Sequence, residues 1–187
     1  MKKYCLTAVF IFGVLFQSYA QARPFIGYDQ VAWGASPEDV RRAYNLGDDL
    51  VPSNSGDPNI AVLVQLNPSQ SIERREFMFN KWKTSSYQLY RVYVVYRNGS
   101  DANHDAIRDL LEQRYGRQTG IEFQSTGTQY DTITVFGRFA PDIEVQLFKR
   151  RTQRLSGTIY SYTEESVLVY YTWKGFRDEY QASLLGL

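Results

Sequence analysis

The chain has 187 residues, with 21 basic against 20 acidic side chains, 15 tyrosines, 11 phenylalanines and a single cysteine. A formal charge of +1, with arginines spread along the chain, excludes the concentrated positive patch that binding to nucleic acid needs. Cys5 lies within the N-terminal leader read below, and its loss excludes disulfides, a cysteine nucleophile and thiolate metal sites from the mature chain.

Lys2-Lys3, the apolar run from Leu6 to Phe16 and the small-residue signal Ala20-Gln21-Ala22 read as a signal peptide over residues 1–22. The run is too short to span a bilayer, so no integral membrane span is expected once the leader is removed. Cys5 is also misplaced for a lipid anchor, which needs a cysteine directly after the cleavage point. The mature protein is expected in the periplasm or secreted. Without Lys2 and Lys3 its formal charge falls from +1 to −1. Residues 23–187 are expected to form a single α+β domain, with halves 23–99 and 100–187 as the alternative division.

The first helix is signalled by Ser36 as its cap, Pro37 at the first helical position and Glu38 and Asp39 at the positive end of its dipole. It is expected to run to about Leu46, to bury Val40, Ala43 and Tyr44, and to stop at Gly47. The stretch from Gly47 to Asn59, with Pro52, Gly56 and Pro58, reads as a surface loop. Two-residue periodicity then predicts strands over Ala61–Leu66, Arg74–Lys81 and Tyr87–Arg97. A second helix is expected from Ser100 or Asp101 to Gly116, burying Ile107, Leu110, Leu111 and Tyr115. Further strands are predicted over Ile121–Gln124, Tyr130–Phe139, Ile143–Arg150, Thr158–Tyr162 and Val167–Trp173. Short connections at Lys83–Ser86, Ala140–Asp142 and Thr163–Ser166 predict hairpins, hence an antiparallel sheet with two short helices on one face.

The opening Trp33-Gly34-x-Ser36-x-Glu38-x-Val40, followed by a short helix and a meander, resembles the small bacterial envelope domains of the SmpA/OmlA outer-membrane assembly lipoprotein type. The tandem helix-plus-meander order is also similar to the fold of the secreted beta-lactamase inhibitor protein. The local motif covers residues 31–47, and the order of elements covers most of 25–173. The resemblance implies a non-catalytic envelope protein that binds other proteins. This chain lacks the lipobox of the assembly lipoproteins, and its second half has no counterpart of Trp33-Gly34, so neither membrane attachment nor a specific partner is carried over.

Alternation places Tyr90, Val92, Val94 and Tyr96 on the helix-covered side of their strand, leaving Arg91, Tyr93 and Arg97 on the other. Phe148 and Arg150 alternate against Ile143, Val145 and Leu147, and Tyr160 and Tyr162 share one face of their own strand. A sheet with one bare side would display these residues together, the composition of protein-binding hot spots. Trp33 joins them as a candidate contact. The competing reading is purely structural: aromatic and arginine pairs stabilise ordinary sheets, and Trp33 can simply cover the end of the core.

No catalytic set stands out. His104, the only histidine, is expected to face water, and neither a Gly-x-Ser-x-Gly elbow nor a phosphate-cradling glycine pattern is present. One histidine makes a zinc site unexpected, and no cofactor or metal is called for. Asp131, Asp142, Glu144, Glu164 and Glu165 are the acids from which a carboxylate-dependent glycan hydrolase would draw its pair. The reading that fits best is a non-enzymatic exported protein that binds an envelope or secreted protein through the aromatic and arginine sheet face or a strand edge, with a homodimer left open. A small-ligand carrier with an aromatic-lined pocket between sheet and helices is the alternative, and the hydrolase stands behind both.

Overall fold

The computed structural model describes residues 27–47, 51–52, 57–81, 84–137, 142–156 and 159–176, with backbone alone at 51–52, 154–156 and 159–164. The leader expected over residues 1–22 lies outside the described residues.

Capping chemistry places both helices where the sequence signals them. In α1 (Pro37–Tyr44) the Ser36 hydroxyl accepts a hydrogen bond from the Asp39 amide at 3.2 Å, and the Asp39 carboxylate accepts one from the Ser36 amide at 3.2 Å. This reciprocal pair satisfies two amides that would otherwise lack partners at the helix start. The stop is at Asn45 (φ 51°, ψ 51°), not at Gly47, because a short polar side chain also tolerates the left-handed conformation. In α2 (Asp101–Tyr115) Ser100 caps through its hydroxyl, and Gly116 ends the helix at φ 83°.

A small hairpin of β1 (Gly27–Tyr28) and β2 (Val31–Ala32) precedes α1. The remaining strands are β3 (Val51–Pro52), β4 (Ile60–Leu66), β5 (Ile72–Asn80), β6 (Gln88–Tyr96), β7 (Gly120–Thr126), β8 (Gln129–Phe136), β9 (Ile143–Ser156) and β10 (Ile159–Trp173). They form one antiparallel sheet of eight strands in the order β3-β4-β5-β6-β10-β9-β8-β7. Each half of the chain is thus a meander, and the two meet through their last strands, with Val94 opposite Val169. The outer positions fall to β3 and β7.

Two expectations fail at bulges. Thr163–Ser166 is not a turn: β10 continues through it, and a register shift between Tyr162 and Glu164 absorbs the irregularity. In β6 the register passes from Met78 opposite Arg91 to Phe79 opposite Leu89, so Tyr90 is the extra residue. Leu89, rather than Tyr90, therefore joins the main core.

That core lies on the first face of the sheet, where Phe77, Phe79, Val92, Val94, Leu147 and Val169 meet Val40 from α1 and Ile107 and Leu111 from α2. Phe77 and Phe79 are wholly buried, which contributes about 2 to 3 kcal/mol each. The N-terminal hairpin packs on the same face, with the Tyr28 and Tyr171 ring centres 4.8 Å apart. Gly99, just before α2, lies so close to β10 that a Cβ there would overlap the Glu165 carbonyl. No helix among the described residues is long and apolar enough to cross a membrane.

Candidate functional site

Arg91, Tyr93, Phe148 and Arg150 share the second face, the one carrying neither α1 nor α2. Tyr170 from β10 organises them. Its ring stacks on Tyr93 with centres 4.5 Å apart and meets Phe148 edge-on at 5.0 Å, while the Arg91 guanidinium lies 5.7 Å from its centre. Arg91 also donates to the Thr172 hydroxyl at 3.1 Å. Arg150 grips Asp131 with two parallel bonds, Nε to Oδ1 at 3.0 Å and Nη2 to Oδ2 at 2.9 Å. Burial raises the pKa of the Tyr93 and Tyr170 hydroxyls, that of Tyr93 well above the usual tyrosine range, so both stay protonated at neutral pH.

The expectation of a bare surface here is corrected by burial. Tyr93 is 9 % exposed and Phe148 8 %, and beside them Ile133, Val135 and Leu168 are at 1–2 %. These residues form a second apolar cluster with its own ring contacts and ion pair, so their polar and aromatic atoms are spent within the molecule.

The other sequence candidates are not brought into this group. Trp33 is 8 % exposed in the first-face core. It is fixed there by the next residues, whose backbone bonds to Leu89 run in both directions at 2.9 Å, from the Gly34 amide and to the Ala35 carbonyl. Trp33 therefore closes the core and is no open contact. Arg97 is exposed beyond the end of β6, where its guanidinium donates to Asn67 Oδ1 in the turn after β4. Tyr160 and Tyr162 lie opposite Leu155 and Gln153 in backbone register, and their side chains fall outside the described residues.

The open surface is at the sheet edge. Ile121 on β7 is 52 % exposed, Phe123 is 79 % exposed, and Tyr130 on β8 is 40 % exposed. Ile121 and Phe123 stand opposite Thr134 and Thr132, on the first face but beyond the cover of the helices. Among the described residues no strand pairs with the outer side of β7, which makes it an outermost strand of the sheet. Periodicity locates Ile121–Gln124 as a strand, but nothing in that stretch announces an outermost position.

Charged groups elsewhere serve the fold. Lys149, alternating with Val145 and Leu147 toward the first face, is 5 % exposed at its side chain and reaches the Gly99 carbonyl, Glu165 at 2.9 Å and Asp101 at 3.2 Å. Arg151 reinforces the same two carboxylates, and the group fastens the start of α2 to β9 and β10. The Lys149 bonds hold Asp101 and Glu165 below the usual carboxylate range. Asp131 and Glu144 share the second face but are separated by six residues of strand register, roughly 20 Å. Glu165 points to the other face, so these three acids do not face one another across a groove. Asp142 marks the start of β9, and the Glu164 side chain lies outside the described residues.

His104 does not face water as expected: its side chain is 14 % exposed, and burial lowers its pKa despite the neighbouring Asp105. Among the described residues no group of three His, Cys, Asp or Glu side chains is arranged to hold a metal.

An open cleft of about 460 Å³ separates α2 from the β6–β10 pair, with Tyr96 and Tyr171 on the sheet side and Ile107, Leu110, Leu111 and Arg114 on the helix side.

Comparison with protein-family models, curated proteins and solved structures finds no match to this chain. The resemblance to the SmpA/OmlA type and to the beta-lactamase inhibitor protein fold thus rests on residues 31–47 and the order of elements alone.

Proposed function

We propose that this chain is an exported, non-catalytic binding protein that takes an extended segment of another envelope or secreted protein along the free edge of β7. The observation that carries this reading is Phe123, a phenylalanine 79 % exposed on a seven-residue strand at the edge of the described sheet. An added strand would gain main-chain hydrogen bonds along β7 and would cover Ile121 and Phe123 with alternate apolar side chains, which supplies affinity and selectivity together. Export is supported by the leader read at residues 1–22. The aromatic and arginine face has no part in this reading, since Tyr93 and Phe148 are buried and Arg91 and Arg150 are engaged by Thr172 and Asp131.

A photo-crosslinking residue placed at Phe123 in cells that make the protein tests this. A discrete adduct with a different protein, absent when the same residue replaces exposed Ser69, is the expected result. Equal labelling from both positions, or an adduct of two copies of this chain alone, would overturn the reading of a foreign partner.

A further inference from the structure

We infer that the cleft between α2 and the β6–β10 pair is a binding site for a free aliphatic carboxylate, with the carboxylate at Arg114 and the chain running over Ile107, Leu110 and Leu111. This site is separate from the β7 edge and does not depend on it. Its volume of about 460 Å³ falls within the range of roughly 300–1,000 Å³ typical of small-molecule sites. Apolar side chains make the helix wall: Ile107 and Leu111 are buried at the base, while Leu110 is 63 % exposed.

The polar lining groups are Tyr96, Tyr171, Gln113 and Arg114, all of which can donate, and the charge among them is positive. Among the described residues Arg114 is the only charged one lining the cleft, and its guanidinium lies 5.5 Å from the centre of the Tyr115 ring. The Tyr96 and Tyr171 side chains line the sheet side of the cleft, Tyr96 half-buried and Tyr171 9 % exposed. Burial raises the pKa of both, so at neutral pH each keeps its proton and can donate it to an anion. A guanidinium and two phenol donors over an apolar wall match a carboxylate with a hydrocarbon tail. The same arrangement leaves an ammonium head without an acceptor that carries charge.

The purified chain would be titrated calorimetrically with decanoate below its micelle concentration, with decanol and decyltrimethylammonium as probes of equal tail length. One saturable site for decanoate is expected, with decanol weaker by about tenfold and the cation not measurably bound, as loss of a charge-assisted contact dictates. Arg114→Ala should weaken decanoate by about tenfold without lowering the melting temperature, because the side chain is exposed. Tyr96→Phe should weaken decanoate while leaving decanol less affected. No saturable decanoate binding, equal binding of the cation, or full affinity in Arg114→Ala would each overturn the assignment.

Discussion

Phe123 on β7 stands opposite Thr132 on β8, and with no further described strand on the outer side its ring remains 79 % exposed. An apolar ring in that setting contributes little to folding. The double substitution Ile121→Thr and Phe123→Ser should leave the free energy of unfolding within about 0.5 kcal/mol of the parent, measured by urea denaturation. The same protein should lose the adduct formed through the β7 edge. A large loss of stability would show instead that these residues serve the core.

Tyr93 gives the opposite expectation. It is 9 % exposed and stacked on Tyr170, so Tyr93→Ala should cost about 3 kcal/mol by leaving a cavity and an unsupported ring. Denaturation midpoints of Tyr93→Ala and Tyr93→Phe separate the two contributions, since phenylalanine keeps the stack. A Tyr93→Ala protein of unchanged stability would restore the second face as a free surface.

Lys149 links the start of α2 to the sheet through Gly99, Asp101 and Glu165. Lys149→Met should cost about 2 kcal/mol, because the Gly99 carbonyl loses its donor while the two carboxylates can turn to water. Asp101 and Glu165 have folded pKa values below their ordinary 3.8 and 4.5, so their contribution is present above about pH 4.5 and is lost as the pH falls through the lowered values. Stability measured against pH should therefore fall less steeply on the acid side in Lys149→Met than in the parent.

His104 adds a second pH dependence at higher pH. Its folded pKa lies below the ordinary 6.5, mainly through burial, so between those two values the unfolded chain binds the proton more readily. Stability then declines as the pH drops below about 6.5, and His104→Gln should flatten this limb in thermal melts taken across the range.

The sequence makes much of the frame readable and hides what depends on assembly. Ser36 and Gly116 mark their helix ends because caps act within a few residues of chain. Period-two alternation correctly separates Arg91 and Tyr93 from Val92 and Val94, since side-chain direction along a strand is local. How exposed Tyr93 is depends on Tyr170, which arrives from a strand more than seventy residues away. The edge position of Phe123 follows from strand order rather than from its own neighbours. The continuation of β10 through Thr163–Ser166 was obscured for a related reason: polar residues there suggest a turn, whereas pairing of Glu165 with Arg151 and Ser166 with Arg150 keeps the chain extended.

The most direct test of the edge-binding account is hydrogen exchange of the backbone amides of residues 120–126, with and without the protein captured through position 123. The account predicts slowed exchange along β7 on adding that protein, with the amides of β4, on the far side of the sheet next to β3, unchanged. Unaltered exchange in 120–126 in the presence of a bound partner would contradict it.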